Sequence, residues 1–448
     1  MLERLRTWTQ DSLLRGVIKN SSYLFSSNAV SILLSMLQGI FAARLLGVQG
    51  YGIVAAVVIP FTSDINRLLS FRMSELVVKY VGQYLAEGKK EHAAAIVKGA
   101  GLVELLTSCL AYGVLLLLMP LAARYLAKDA QTSSLFGIYG LVLLAFVVYE
   151  TSTGVLQVTR RFNRIAQIQL LQNGITVSLI FVAFLTNGGM LEVILAYLIG
   201  KACGAIVLYL VAARSLRQEL GADWWRAPFS LLPDFKELGR FALSTNLQGT
   251  VNLIVRDSET LFITALRSPT EAGYFKIALG VINLVMLPVE PFITTTYSEI
   301  SRTVAQKEHA LTRRLLKRVT LITGSWTVAA GGFLALFGYW LIPLLYGKDF
   351  ILSFPAVLIL LIGYGCANIL NWNRPLLLAL GMPGYPLKIS AWVGLVKTIL
   401  TLALLPLWGY LSEAALLSGY LVTTVLANVW RGLRELQPAE SRAEITVQ

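Results

Sequence analysis

Polar and charged side chains recur along one face of an apolar stretch in the second half of the chain. Thr245, Gln248, Asn252, Arg256 and Glu259 follow one another at spacings of 3, 4, 4 and 3 residues. Such spacings place side chains on one face of an α-helix. Amides hydrogen-bond to hydroxyl groups, a guanidinium pairs with phosphate oxygens, and a carboxylate balances its charge. This face therefore has the chemistry to bind an anionic, hydroxyl-rich ligand.

A matching polar stripe occurs in the first half, at Asn28, Ser31, Ser35 and Gln38, with spacings of 3, 4 and 3 residues. Hydrogen bonds between packed helices explain small polar residues of this kind equally well. The same two alternatives, sugar contact and helix packing, stay open for other amides in apolar stretches. Those amides include Gln172 and Asn371.

Further charged residues interrupt the apolar stretches. Asp64 precedes Arg67 by three residues, so the two can pair on one helix face, either as a structural ion pair or as part of a site. A central charge costs about 2.5–3.5 kcal/mol on insertion scales, so each is expected to face water or a partner. The candidate substrate contacts are Arg67, Arg256, Arg374, Lys397, Asn28, Gln38, Gln248, Asn252, Gln172 and Asn371. The candidate charge-balancing or ion-coupling residues are Asp64, Asp257, Glu259 and Glu290.

The composition indicates a membrane protein. Hydrophobic residues make up 56% of the 448 residues, charged residues only 14%, and the mean hydropathy is +0.66. A soluble domain has about a quarter charged residues. We expect no cleavable signal, because the first twenty residues carry charges throughout. Twelve transmembrane helices are predicted, at 22–45, 51–73, 98–120, 133–157, 164–186, 190–212, 240–266, 274–297, 317–345, 352–380, 386–408 and 410–431.

Lysine and arginine are concentrated in alternate loops between these spans. The opposite set of loops contains only Arg44, Arg124, Lys128, Arg267 and Lys348. The positive-inside rule then places both termini in the cytosol. The net charge of +13 is therefore explained by topology and by contact with anionic membrane lipids, and it does not indicate nucleic acid.

The two halves of the sequence resemble each other at a nearly constant offset. The four residues KEHA occur at 90–93 and at 307–310, and QGYGIVA (49–55) resembles EAGYFKIA (271–278). Five such matches, in the same order, are 217 to 224 residues apart. Six spans per half give both halves the same orientation. We predict an all-α polytopic membrane protein with two parallel six-helix lobes around a central cavity, namely 1–220 and 240–448, joined by a cytosolic linker at 221–239.

The only two histidines, His92 and His309, belong to the KEHA copies. No second ligand at His-x₃-His or Cys-x₂-Cys spacing accompanies either one, so metal binding is disfavoured. We interpret the copies as a mark of duplication, and a regulatory role for the histidines stays open.

Several stretches resemble a known family. ARLLGVQGYGIVAAV, LLPDFKELGRFALSTN and VRDSETLFITALRSPTEAGYFKIA are similar to the polysaccharide-exporter branch of the multidrug/oligosaccharidyl-lipid/polysaccharide (MOP) exporter superfamily. The resemblance implies a flippase for a polyprenyl-diphosphate-linked oligosaccharide, moving it from the cytosolic to the outer leaflet of the inner membrane by alternating access. It also implies a monomer without a bound cofactor, coupled to a H⁺ or Na⁺ gradient or to the membrane potential. Glycan polymerases and glycosyltransferases are the expected partners.

Two alternative functions are considered, one within the same superfamily and one of another class. A cation-coupled multidrug antiporter of the same superfamily would need an acidic cavity. A membrane enzyme of glycan assembly is disfavoured, since the sequence contains no DxD-like metal pair at a membrane face, no HExxH and no Walker-type loop. We therefore expect a transporter and not an enzyme.

Overall fold

Every regular element of the described chain is a helix. The computed structural model describes residues 12–233, 238–239, 250, 253 and 257–437, and of these the side chains of 12–28, 290–292 and 294–295 are not described. The α-helices are α1 (Ser12–Tyr51), α2 (Ile59–Leu69), α3 (Met73–Ala86), α4 (Lys90–Ala122), α5 (Ser133–Ala145), α6 (Tyr149–Val158), α7 (Phe162–Leu185), α8 (Met190–Leu220), α9 (Glu259–Leu266), α10 (Pro269–Met286), α11 (Glu290–Ala305), α12 (His309–Tyr346), α13 (Ser353–Ile369), α14 (Asn373–Ala379), α15 (Gly384–Trp408) and α16 (Tyr410–Glu435). A π-helical turn (Gly52–Val58) joins α1 to α2, and another (Ala123–Ala127) follows α4.

Nine stretches of the described residues are long and apolar enough to cross a membrane. The first, Ala29–Leu69, covers predicted spans one and two in 41 residues. At about 1.5 Å per residue it is about 60 Å long, twice the hydrocarbon thickness of a bilayer. Its helix is interrupted at Gly47, whose φ of 65° and ψ of −176° are not helical. This stretch therefore accommodates two crossings.

The other eight stretches correspond to predicted spans three to six and nine to twelve. Predicted span seven lies largely outside the described residues. Predicted span eight is divided between α10 and α11, on either side of residues 287–289. The predicted class, an all-α polytopic membrane protein, is confirmed.

The helices of the two halves break at equivalent places. Three residues separate α2 from α3 and α5 from α6, and three separate α10 from α11 and α13 from α14. The starts of α3 and α11 are residues 73 and 290, which are 217 apart, and the starts of α6 and α14 are 149 and 373, which are 224 apart. The structure thus reproduces the repeat and its offsets.

The loops before α4 and α12 also have the same backbone hydrogen bonds. In the first loop four amides donate to nearby carbonyls: Glu87 to Gln83, Gly88 to Leu85, Lys89 to Tyr84, and Lys90 to Gly88. The second loop has the same four bonds: Gln306 to Arg302, Lys307 to Val304, Glu308 to Thr303, and His309 to Lys307. Each partner in the second loop lies 219 residues after its counterpart. Gly88 and Lys307 occupy the same left-handed position, with φ of 73° and 58°.

A second pair of loops, 159–161 and 380–382, repeats in the same way. The amides of 159, 160 and 161 donate to the carbonyls of 155, 157 and 156, and the amides of 380, 381 and 382 donate to those of 376, 378 and 377. The left-handed position is Arg160 in one loop (φ 57°) and Gly381 in the other (φ 73°). Two loops in each half therefore share one backbone conformation.

The KEHA copies lie in equivalent loops but not in equivalent positions. Their sequence offset is 217, whereas the backbone bonds repeat at 219. The structural counterpart of Lys307 is thus Gly88, and the letter match is shifted by two residues. The His92 ring packs against Tyr84 at 5.2 Å between centroids. The two KEHA copies therefore lie in a duplicated loop, but Lys90, Glu91, His92 and Ala93 are not the structural counterparts of Lys307, Glu308, His309 and Ala310.

The chain forms two compact units, Leu33–Gly273 and Met1–Ile32 with Tyr274–Gln448, called here the 33–273 unit and the 274–448 unit. In the 33–273 unit, Val77, Leu156 and Leu208 belong to one hydrophobic core. In the 274–448 unit, Leu376 and Ile300 belong to another. The unit boundaries differ from the lobe boundaries at 220 and 240, which stay a prediction from the sequence repeat.

Candidate functional site

A charged pair joins α2 to the segment just before α9. Arg67 Nη1 lies 2.7 Å from Asp257 Oδ2, and the two side chains are 57% and 41% exposed. The sequence offered Asp64 as the partner on the same helix face. Arg67 pairs with Asp257, 190 residues away, and its pairing with Asp64 stays a prediction. An exposed pair contributes only about 0–1 kcal/mol to stability, so an anion can displace the carboxylate at little cost.

Ser258 fixes the segment that carries Asp257. The Ser258 amide and hydroxyl lie 3.1 and 3.0 Å from the Leu253 carbonyl oxygen, and α9 begins at the next residue. The hydroxyl also lies 3.3 Å from Asp64 Oδ2. Glu259 is 4% exposed in the first turn of α9, where the helix dipole favours a carboxylate. Two further carboxylates therefore lie close to the segment that carries Asp257.

Two glycines allow the copies of the sequence repeat to touch. A Cβ on Gly52 would collide with the Pro269 carbonyl oxygen, and one on Gly273 would lie 2.8 Å from the Val48 carbonyl oxygen. Both side chains are therefore excluded by backbone. The α9 helix packs against the π-helical turn at Gly52–Val58 and against α2. The glycines of QGYGIVA and EAGYFKIA thus permit the close approach that places α9 beside α2.

Two predicted amide contacts take part in helix packing. Gln38 is 5% exposed, and its Nε2 donates to the Asn173 carbonyl at 3.1 Å. Gln172 is half-buried, and its Oε1 would lie 2.7 Å from a Cβ placed on Gly204. These contacts favour the packing alternative that the sequence left open. Their role toward a ligand stays a prediction.

Amides line the break between α13 and α14. Asn371 is 6% exposed, and its Nδ2 donates to the Asn368 carbonyl at 3.0 Å. Asn368 Nδ2 donates in turn to Thr327 Oγ1 at 2.8 Å. Such bonds satisfy polar groups that a broken membrane helix frees. Arg374, one residue into α14, is exposed.

Lys397 has a buried partner that the sequence analysis missed. Lys397 Nζ lies 2.7 Å from Glu413 Oε1, and the side chains are 4% and 0% exposed. Thr401 Oγ1 donates to Glu413 Oε2 at 2.7 Å. The pair is placed to hold α15 against α16, and its burial does not support a headgroup contact for Lys397. The available signal was a lysine in the middle of one span and a carboxylate near the start of the next.

Five predicted site residues cannot be placed against this geometry. Arg256, Gln248 and Asn252 lie outside the described residues, and the side chains of Asn28 and Glu290 are not described. Their roles stay predictions.

Two carboxylates connect the helix breaks of the 33–273 unit. Glu104 on α4 is 6% exposed and accepts hydrogen bonds from the amides of Glu150 (2.7 Å) and Thr151 (2.9 Å) and from the Thr151 hydroxyl (2.7 Å). Glu104 thus caps the first turn of α6 from a neighbouring helix. Glu150 in turn accepts from the hydroxyl of Ser70, in the break between α2 and α3, at 3.3 Å. Both residues fall within predicted spans, 98–120 and 133–157, but no sequence pattern indicates the capping.

The equivalent region of the 274–448 unit uses neutral groups. Trp326 Nε1 donates to the Val285 carbonyl at 2.9 Å, and Asn368 Nδ2 lies 3.4 Å from the same oxygen. Val285 is near the end of α10, just before the break. Trp326 stands 222 residues after Glu104, within the range of the repeat offsets. One half therefore caps a helix start with a carboxylate, and the other satisfies a helix end with an indole and an amide.

The fold of the chain is shared with solved membrane transporters. An inward-facing multidrug resistance MATE family transporter of the MOP superfamily aligns with a TM-score of 0.71 at 12% identity, over 91% of this chain and 94% of that one. The lipid II flippase MurJ, inward closed, aligns with a TM-score of 0.70 at 15% identity, over 91% and 87%. A MOP superfamily transporter from Pyrococcus furiosus, reported with a binding pocket of reverse polarity, gives 0.64 at 14% identity, over 94% and 95%. The chain therefore shares the fold of these membrane transporters.

Residues 41–355 match the polysaccharide biosynthesis protein family, and the chain belongs to that family. The inner membrane protein YghQ of Escherichia coli (strain K12) is 24% identical over 299 residues, which are 66% of this chain and 84% of YghQ. The resemblance to the polysaccharide-exporter branch is confirmed. The chain is a multi-pass membrane protein of the polysaccharide biosynthesis protein family, with a fold shared with MATE and MurJ.

Proposed function

We propose that the protein is a flippase that moves a polyprenyl-diphosphate-linked oligosaccharide from the cytosolic to the outer leaflet of the inner membrane by alternating access. Both termini lie in the cytosol in this proposal, as the basic loops predict. Family membership and the flippase-like fold support it. The observation that carries it is the exposed Arg67–Asp257 pair.

In this proposal Arg67 binds the diphosphate. A guanidinium donates two parallel hydrogen bonds to phosphate oxygens, which form stronger and more specific contacts than a point charge does. The phosphate displaces Asp257 from Arg67. Arg256 adjoins Asp257 in the sequence and is assigned as a second headgroup contact, and Arg374 is kept as a candidate substrate contact from the sequence.

The freed carboxylate provides the coupling in this proposal. Asp257, once separated from Arg67, takes up H⁺ or Na⁺ together with Glu259 or Asp64. Substrate binding and ion binding are then linked, because the phosphate binds Arg67, the ion binds Asp257, and either event breaks the pair between them. No bound cofactor is required. The protein acts as a monomer, and it receives its substrate from glycosyltransferases and passes it to a glycan polymerase.

Transport in reconstituted vesicles tests this function. We expect Arg67→Gln to reduce flipping of a lipid-linked oligosaccharide at least tenfold, and Arg67→Lys to recover only part of it. Arg72→Gln is the matched control, because Arg72 is also about half exposed and pairs with Glu75 at 3.2 Å. Unchanged flipping in vesicles with Arg67→Gln would contradict the role of Arg67 as the diphosphate contact.

The second candidate is a cation-coupled multidrug antiporter. The similarity to a MATE transporter and the three carboxylates beside α9 favour it. The same vesicles decide between the two functions. Uptake of a cationic dye that depends on Asp257 and not on Arg67, without oligosaccharide flipping, would favour the antiporter.

A further inference from the structure

A cavity of about 630 Å³ lies in the 33–273 unit, beside α3 and α4 and the linker that follows α8. Phe71, Met73, Ala100, Val103, Phe229 and Leu232 are among the residues that line it. Every described lining residue is apolar or glycine. The cavity is therefore a hydrophobic site.

Ordered water does not suit a cavity of this kind, because each ordered water needs two to four polar partners, which apolar side chains do not supply. A hydrocarbon chain satisfies the lining without requiring hydrogen bonds.

The walls of the cavity are continuous with surfaces that face a bilayer. Leu102 and Val103, on the α4 wall, are 44% and 38% exposed. The linker contributes Phe229, 43% exposed, and nearby Trp225 is 54% exposed. Aromatic side chains of this type concentrate where a membrane meets water. The occupant can therefore enter from the leaflet on the linker's side.

Two cations lie near the linker side of the cavity. Lys98 Nζ lies 4.2 Å from the centroid of the lining Phe229 ring and donates to the Ala227 carbonyl at 3.0 Å. Arg226, three residues before Phe229 in the linker, packs over the Trp225 ring at 4.8 Å and pairs with Asp223 at 3.5 Å, with the two charged side chains 66% and 72% exposed. Such an exposed pair is weak, so a phosphate can take the place of Asp223, and basic groups beside an apolar interior complement a ligand with an anionic head and a hydrocarbon chain.

We propose that this cavity binds one acyl chain of an anionic phospholipid from the leaflet on the linker's side, with Lys98 and Arg226 at the phosphate. The lipid is a resident ligand, distinct from the transported molecule, because the lining includes neither Arg67 nor Asp257. Phe71 lies in the break between α2 and α3, and Phe229 in the linker. The bound chain therefore fixes the linker against the broken helix.

The test measures lipid-dependent thermal stability of the purified protein in detergent. Phosphatidylglycerol is expected to raise Tm until the site is saturated. Phosphatidylcholine of the same chain length should need an at least tenfold higher concentration for the same rise in Tm. Gly99→Leu fills the cavity, since a Cβ there lies 3.3 Å from Leu232, and is expected to weaken the phosphatidylglycerol effect at least tenfold. Gly113→Leu on the same helix meets nothing within 4 Å and is the control.

A second variant keeps the proposal testable if Gly99→Leu does not fold. Lys98→Gln is expected to remove the preference for phosphatidylglycerol over phosphatidylcholine, whereas Lys90→Gln, exposed at the start of α4, retains it. An equal preference in Lys98→Gln and wild type would overturn the proposal, as would stronger stabilisation by polyprenyl phosphate than by phosphatidylglycerol. The measurement requires no transport, so failure of the flippase function would leave its result unaffected.

Discussion

Two ion pairs, one in each unit, have the same length and opposite surroundings. Arg67–Asp257 and Lys397–Glu413 are both 2.7 Å long, but the first is 57% and 41% exposed and the second 4% and 0%. The charges of the first pair lie at the protein surface, whereas those of the second are enclosed and have each other and Thr401 as partners. Burial, and not position within a span, therefore separates a residue that a ligand can reach from one that holds helices together.

Removing one member of the buried pair has the largest expected effect. Lys397→Met leaves Glu413 charged and buried, so we expect a loss of about 3–5 kcal/mol in the free energy of unfolding. Denaturant titration in detergent micelles measures it. The double variant Lys397→Met/Glu413→Leu should recover most of the loss. A single variant as stable as wild type would remove the distinction between the two pairs.

The hydroxyl that supports the buried pair comes next. Thr401→Val removes the donor to Glu413 Oε2, and hydrogen bonds to charged groups contribute about 1.5–3 kcal/mol. Thr398→Val is the control, because its hydroxyl bonds only to the Gly394 carbonyl of its own helix. The same titration should show a clear difference between the two variants, and equal losses would contradict the role given to Thr401.

The exposed pair should matter little for stability. Arg67→Gln is expected to change the free energy of unfolding by less than about 1 kcal/mol, and added salt should reduce the difference further. This variant would be nearly as stable as wild type and still defective in flipping. A loss comparable to that of Lys397→Met would show that Arg67 is structural.

The smallest effect concerns an exposed pair in the loop before α4. Lys89 donates to Glu87 at 2.7 Å, which lowers the pKa of Glu87, and the same bond raises the pKa of Lys89. The Glu87 contribution is present above its unfolded-state pKa and is lost as pH falls through the lowered value. The Lys89 contribution is lost only as pH rises through its raised value. Glu87→Gln should therefore differ from wild type in Tm only slightly, at neutral pH and low salt, and the difference should vanish in acid.

Most of the membrane helices could be predicted from the sequence, because a helix that crosses a bilayer must be long and apolar. Ten of the twelve predicted spans have counterparts among the candidate membrane stretches. The three-residue breaks were less accessible, since only Pro288 and Pro291 beside Glu290 and Pro375 after Arg374 marked them in sequence. The breaks at 70–72 and 146–148 contain no proline. Their stability depends on tertiary contacts such as that of Glu104 with α6.

The sequence identified charged residues of the candidate site but not the side chains that they contact. Arg67 was selected, but spacing rules reach only along one helix, so its contact with Asp257 could not be read from the sequence. The same limit hid Glu413 from Lys397. Helix rotation decides whether a charged residue in a span faces water or a neighbour, and one sequence without tertiary contacts does not define that rotation.

The duplicated loops make each half a reference for the other. At one left-handed position the first half has Gly88 and the second has Lys307, and at the next the first half has Arg160 and the second Gly381. A side chain in that conformation costs roughly 1–2 kcal/mol relative to glycine. Neither half therefore has glycine at the left-handed position of both loops. Exchanging glycine between counterparts, as Lys307→Gly and Arg160→Gly, would build a consensus from the protein's own two copies, without any alignment to other proteins.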